Sequence, residues 1–507
     1  LEKYKVNLLV DNSKTEGAPV VIEPIPNYNN LIGRIEKESH LGTLVTHFTL
    51  ISPGAFHRAN GGYLVLDVFD VFKHPFAYDA LKSTLKAGKI LIEDIAERYG
   101  YVSTRSLKPE PIPLDVKVVL VGDSYVYQIL NALDPDFPEL FKVKAHFDVE
   151  MDRKDENIHH YASFIASLCE KENLKHFDRS AIARIVEYGS RVVSDQRKLT
   201  TKFSEIADIV REASYWASEE GEDLVSAQHV EKALRERVFR HDLYEEKIKE
   251  MISRGTILIS TEGEEVGAIN GLAVLDVGDY TFGKPVRITV SVSPGREGVV
   301  DVEKEAGLGG KIHTKGVLIW GGYLANQYAF KTPLTLAGRI AFEQSYSGVE
   351  GDSASCAELC ALLSMLAEVP IKQNFAITGS VNQKGEVQPI GGVNEKIEGF
   401  FRVCKAKGLT GDQGVIIPHQ NVENLMLDKE VIEAVEKGKF HIYSVKHVDE
   451  ALEILTGLPA GKRLPDGSYE KGTIHYKVQK RLKEFQKGLK EAGEEKKKAR
   501  KKSPKKK

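Results

Sequence analysis

"GVEGDSASCAELCALLSMLAEVP", residues 348–370, runs from a glycine-rich turn straight into an apolar helix that Pro370 cannot continue. Ala, Leu and Cys stand on nearly every side of that helix, so it belongs in a protein interior. Ser353 sits at its entrance, where backbone N–H groups are unpaired and the helix dipole is positive. The residues leave two readings open. Ser353 either caps the helix or is a nucleophile beside free N–H groups that can receive the oxyanion of a tetrahedral intermediate. Cys356 and Cys360, one turn apart, read as small core residues, since a closed zinc site needs four ligands and no second pair lies nearby.

Around this helix the chain changes texture several times. "GGYLVLDVF" (61–69) and "VKVVLVGDS" (116–124) read as apolar strands of a parallel sheet, buried on both faces. Between them "PFAYDALKSTLKAG" (75–88) reads as a helix closed by Gly88. From about 155 to 240 the pattern is helical, with Asp178 and Ser226 at N-cap positions. A charged helix, "YEEKIKEMISRG" (244–255), leads into a glycine-punctuated region of strands and helices that lasts to about residue 457. The end, "GLKEAGEEKKKARKKSPKKK", has lost its apolar residues and reads as a solvated tail; nucleic-acid binding through it is the less favoured reading.

The totals fit this picture. A chain of 507 residues with 42% hydrophobic and 28% charged residues and a net charge of −3 is expected to be soluble, globular and multidomain. Four cysteines and no signal-like start fit a reducing cytoplasm. No apolar run reaches the roughly 18 residues a membrane span needs, so no membrane association is expected. The first residue is Leu, so the chain is expected to be a fragment of a longer polypeptide.

A serine nucleophile needs a base. His313, His419, His441, His447 and His475 lie in the strand-rich half, but none stands in a turn beside a second polar pair, so a Ser-His-Asp set has little support. "GGVNEKIEGFFRVCKAKG" (391–408) offers a lysine instead. At roughly 100° per residue its apolar arc holds Val393, Ile397, Phe400, Phe401, Val403 and Cys404, and Lys396 falls inside that arc. Such a lysine either snorkels to solvent along its stem or is buried, and burial would bring its amine into the range of a general base. Other motifs fail. "GDSAS" lacks the last glycine of a nucleophile elbow, and Ser83 with Lys86 matches S-x-x-K without a following S-D-N. "GLPAGKR" (457–463) and "EAGLGGKIH" (305–313) are not phosphate loops, because Arg463 and Ile312 stand where Ser or Thr must hold magnesium.

"FEQSYSGVEGDSAS" (342–355) followed by "ITGSVNQKGEVQPIGGVNEKIEGFF" (377–401) closely resembles the proteolytic domain of Lon proteases, over roughly residues 255–457. The resemblance implies a serine endopeptidase with Ser353 as nucleophile, Lys396 as base and Thr378 hydrogen-bonded to the lysine. Asp352 would raise the lysine pKa if it pointed inward, so it is expected to point outward or to cap the helix; Glu350 is expected to serve the turn. "NLIGRIE", "FTLISPGAFHRANGGYLVLD" and "DPDFPELFKVKAHFD" resemble the AAA+-type region of Lon-related proteins, and "KLTTKFSEIADIVREASYWA" their helical lid.

The expected architecture is therefore multidomain: an α/β AAA+-like module (1–153), an all-α lid subdomain (154–243), an α+β Lon-type proteolytic domain (244–457) and a basic, disordered tail (458–507). In "YLVLDV" the customary acidic pair is Asp67-Val68, and no G-x-x-x-x-G-K-[ST] occurs in the chain. These departures resemble the Lon-like branch that cleaves unfolded polypeptides without hydrolysing ATP. No cofactor is then required, and ATP with magnesium enters only if a phosphate loop lies upstream of Leu1. The resemblance also implies a homo-oligomer, a hexameric ring, acting on unfolded polypeptide. The alternatives are an ATP-driven Lon protease with that upstream loop and a non-enzymatic AAA-like chaperone.

Overall fold

The computed structural model describes residues 4–40, 43–95, 107–278, 280–329, 333–346 and 348–502. The chain divides into two units, Leu1–Phe147 and Asp148–Lys507.

In the first unit the apolar runs form a three-stranded parallel sheet of β1 (Val20–Ile22), β2 (Gly62–Asp67) and β3 (Val116–Val121), with β2 in the middle. The helix between the two long strands is α1 (Ala77–Ala87), and Gly88 closes it at φ 62°. One sheet face packs on Leu31, Phe56 and Leu81. The other is open: Val20, Ile22, Tyr63, Val119 and Val121 are exposed, Ile22 at 72% and Val121 at 52%. The expectation of strands buried on both faces is thus corrected to an alternating pattern, with one side of each strand in the core.

The second unit opens with four helices, α2 (Asp155–Glu172), α3 (Arg179–Val193), α4 (Phe203–Glu219) and α5 (Ala227–His241), around a core that includes Tyr161, Ile185 and Val210. Asp178 caps α3 through the Ala181 N–H, and Ser226 stands before α5, where its N–H donates to His229 Nδ1. The charged helix α6 (Leu243–Ser253) follows.

A seven-stranded mixed sheet comes next. Its strands are β4 (Ala268–Asp276), β5 (Thr281–Ser293), β6 (Gly298–Asp301), β7 (Ala337–Phe342), β8 (Phe375–Ile377), β9 (Gly414–Pro418) and β10 (His441–Val445), in the order β6-β7-β5-β4-β8-β9-β10. Antiparallel pairing joins β7, β5 and β4, and parallel pairing runs from β4 through β8 and β9 to β10. Helices α7 (Lys311–Tyr328), α8 (Ser355–Ala367), α9 (Val393–Lys407) and α10 (Val448–Thr456) complete it. Every residue of α8 except Met365 is buried, as its all-round apolar composition requires.

The C-terminal expectation is corrected. Helix α11 (Ile474–Lys502) begins well before the lysine run, and Ile474, Val478, Leu482 and Phe485 enter the same core as α8. Their i, i+4, i+8, i+11 spacing puts them on one helix face. The apolar signal lay in "IHYKVQKRLKEFQKG", ahead of the lysines that dominate the composition.

Candidate active site

Gly351, at φ 87°, lets the chain turn into α8, a conformation open to Gly without strain. The helix begins at Ser355 with Ala354 at its cap position, and no side chain caps it. The capping reading of Ser353 therefore does not hold. Ser353 is half-buried at the mouth of the turn, and its carbonyl is held by the Gly379 N–H at 2.8 Å and by the Thr378 hydroxyl at 3.2 Å. The Cys356 N–H donates back to Gly379 O at 2.9 Å. These bonds stitch the serine turn to the segment leaving β8.

Helix α9 brings Lys396 to the same point. Gly392, at φ 67°, starts it. The helix then meets β5 at two glycines: a Cβ at Gly399 would lie 2.0 Å from Gly283 O, and one at Gly283 would lie 2.0 Å from Glu395 O. No side chain fits that crossing, which brings β5 against the α9 backbone at Glu395 and Lys396. The lysine is 3% exposed, so it is buried rather than snorkelled. Its Nζ lies 2.8 Å from Ser353 Oγ and 3.1 Å from Thr378 Oγ1. Burial holds its pKa down at about 8, against the opposing pull of the Asp352 and Glu395 carboxylates. At 2.8 Å the contact runs either way: an ammonium donates to the serine oxygen, and a neutral amine accepts the hydroxyl proton.

Asp352 differs from expectation. It neither points outward nor caps α8; its Oδ2 accepts from the Ser380 hydroxyl at 2.8 Å, which turns the carboxylate aside while it still acts on Lys396. Ser380 was missed in the sequence, although it directly follows the Thr378-Gly379 pair. Glu350 does more than serve its own turn, since its carboxylate accepts from the Ile312 N–H at the start of α7. Gly316 on the same helix meets the serine turn so closely that a Cβ there would lie 3.0 Å from Asp352 Cβ.

None of the five histidines bonds to Ser353. His313 lies 3.3 Å from Asp301 Oδ2 and 3.7 Å from Glu358 Oε1 in a buried cluster. His475 bridges Tyr328 and Asp449, which ties α11 to α7 and α10. His419, His441 and His447 face Ser444, Gly411 O and Lys384 O. Cys356 and Cys360 are core residues. Ser83 donates to Ala80 O and Lys86 pairs with Asp136, so the S-x-x-K match is coincidental.

In the first unit Asp67 is a helix cap: its Oδ1 accepts from the Phe69 and Asp70 N–H groups at 2.8 and 3.2 Å, and Val68 begins the helix. At this position a capping carboxylate followed by a valine does not supply the customary acidic pair.

A turn-borne serine oxygen against a buried lysine amine is an arrangement that can activate a serine nucleophile, the chemistry of a serine peptidase. Comparison with known families agrees. The family described as "LonB-like, AAA domain" matches residues 16–148, "Archaeal LonB, AAA+ ATPase LID domain" matches 176–240, and "Lon protease (S16) C-terminal proteolytic domain" matches 344–457. The chain is 35% identical over 416 residues to a "Putative Lon protease homolog" of Escherichia coli, covering 80% of this chain and 69% of that protein. It is 30% identical over 456 residues to an "Archaeal Lon protease" of Archaeoglobus fulgidus (88% and 69%), and 29% identical over 467 residues to one of Thermococcus kodakarensis (88% and 68%). The chain belongs to the Lon protease family, and it is a Lon-type serine endopeptidase. It spans about two thirds of the length of these relatives.

Proposed function

We propose that Ser353 and Lys396 are the catalytic dyad and that Thr378 orients the lysine. Neutral Lys396 takes the Ser353 proton as Oγ attacks a peptide carbonyl; the resulting ammonium then protonates the leaving amine, and the acyl-serine is hydrolysed by water. The Ser355 and Cys356 N–H groups are committed to Asp352 O and Gly379 O, whereas no backbone carbonyl among the described residues accepts from Ser353 or Ala354. Those two amides are the natural oxyanion donors. The observation that carries this reading is the 2.8 Å contact between the serine oxygen and a lysine amine sealed from water.

Asp67 acting as a helix cap, Val68 beside it and the absence of G-x-x-x-x-G-K-[ST] from residues 1–507 support proteolysis without ATP hydrolysis, on unfolded or damaged polypeptides. By resemblance to the family, the working form is a homo-oligomeric ring, six-membered, in the cytoplasm. Among the described residues no helix is long and apolar enough to cross a membrane. One observation favours the ATP-driven alternative: the open apolar face of the first unit's sheet, which a further layer of helix and strand would cover. Degradation of casein and of a stably folded protein, each with and without ATP and magnesium, separates the two. Equal casein cleavage in both conditions with no loss of the folded protein is expected; ATP-stimulated turnover of the folded protein would overturn it.

A further inference from the structure

Lys396 is flanked on its own helix by two carboxylates, Glu395 before it and Glu398 two residues after. Both are held by a residue from outside the proteolytic fold. Arg191, in the last turn of lid helix α3, reaches Glu398 Oε2 at 2.9 Å and Glu395 Oε1 at 3.2 Å, and donates to Met426 O at 2.6 Å. Around this clamp the lid is fixed by further polar bonds: Gln196 Nε2 to Val422 O and Leu425 O, Asn424 to Ser194 O, and Arg197 to Glu423. Asp428 also faces Arg191, and Arg402 sits between Asp428, Glu398 and Glu245.

We infer that Arg191 is a positioning residue for the Ser353–Lys396 reaction, a lid-borne guanidinium that neutralises the carboxylates flanking the base and seats the helix that carries it. The inference rests on the proposed dyad. Its physical basis is the charge balance at Lys396. Burial favours the neutral amine, while Asp352 from the serine turn and Glu395 from α9 oppose it. From β5 the charged residue beside the Gly283 crossing is Lys284, whose amine burial also holds down. Asp352 is turned aside by Ser380; Glu395 is answered by Arg191. Arg191 itself is firmly charged: burial works against the guanidinium, but Glu398, Glu395 and Asp428 more than offset it. Without Arg191, Glu395 would act on Lys396 unopposed and a nearby positive charge would be lost. Both changes push the lysine toward its charged, inactive form.

The sign gives a test that a merely structural role would not satisfy. In the intact protein, with an internally quenched unstructured peptide as substrate, kcat/KM is measured against pH for Arg191→Gln, Arg191→Lys, Glu395→Gln and the double variant R191Q/E395Q. The acid limb of this profile reports the base in the free enzyme. For Arg191→Gln the limb is expected to move alkaline by about one pH unit, with about a tenfold loss at pH 7 and little loss at pH 10. Arg191→Lys keeps the limb near its original place, Glu395→Gln moves it toward acid, and the double variant returns it. A uniform loss across pH for Arg191→Gln with an unmoved limb overturns the inference. If Arg191→Gln fails to fold, an unmoved limb in Glu395→Gln overturns it equally. Normal cleavage by Lys396→Ala would instead sink the dyad itself, a separate result.

Discussion

Ser353→Ala is expected to lower kcat for peptide cleavage by about 10⁴-fold or more while leaving assembly and thermal midpoint unchanged. The hydroxyl sits at the half-buried mouth of the turn, and the turn itself is held by backbone bonds from Gly379 and by the Thr378 hydroxyl on Ser353 O, none of which needs the serine side chain. Lys396→Ala is expected to cost about 10²- to 10⁴-fold, the range for loss of a positioned base. Lys396→Arg should be no better than alanine, because a guanidinium does not give up its proton near neutral pH. Activity within a fewfold of wild type for any of the three, measured with the same quenched peptide, would remove the dyad.

Ending the chain after Thr473 is expected to unfold the proteolytic domain. Ile474, Val478, Leu482 and Phe485 are buried in its main core. At about 1.5–3 kcal/mol for each fully buried side chain, their loss approaches the roughly 5–15 kcal/mol that a whole domain has to spare. The truncation also removes His475, which bridges Tyr328 and Asp449. Ending the chain after residue 492 leaves all of these in place and should shift the melting temperature by no more than about 2 °C. Calorimetry of both truncations decides the matter; a normal transition in the shorter one would mean that α11 is an appendage.

How much of this was legible in the sequence follows from which interactions are local. The buried character of α8 could be read from its residues alone, because a helix apolar all round has nowhere else to go. Lys396 was placed inside an apolar arc by periodicity, but periodicity could not choose between snorkelling and burial. The choice depends on tertiary packing, in which Gly283 and Gly399, far apart in sequence, let β5 lie directly against the α9 backbone at Lys396. A glycine inside an otherwise regular helix was the available signal. Asp352 was misplaced because its partner, Ser380, lies across a strand end. The tail was misjudged because lysines masked an apolar stripe of regular helical spacing. The open sheet face of the first unit escaped notice because "VKVVLVG" is apolar on both sides apart from Lys117, and that single lysine, on the exposed side with Val119 and Val121, was outweighed by the valines around it. Arg191 carried no local signal, since its partners are about 200 residues away.

The family resemblance and the physical reading meet at the lysine. Order and spacing of the two motif blocks suggested which residues belong together, while burial, which holds the amine's pKa down, and the Thr378 hydroxyl beside it supply a physical basis for the proposed base. The negative charges nearby set the limit. Asp352 and Glu395 keep its pKa from falling further, so cleavage should rise with pH through about 8 and level off above it.

The most direct measurement is the titration of the Lys396 amine itself, followed by NMR with side-chain-labelled lysine in Ser353→Ala to prevent self-cleavage. A single lysine titrating near pH 8 and absent from Lys396→Met is the expected result. An amine at Lys396 that titrates above pH 10, as a solvated lysine does, would contradict it.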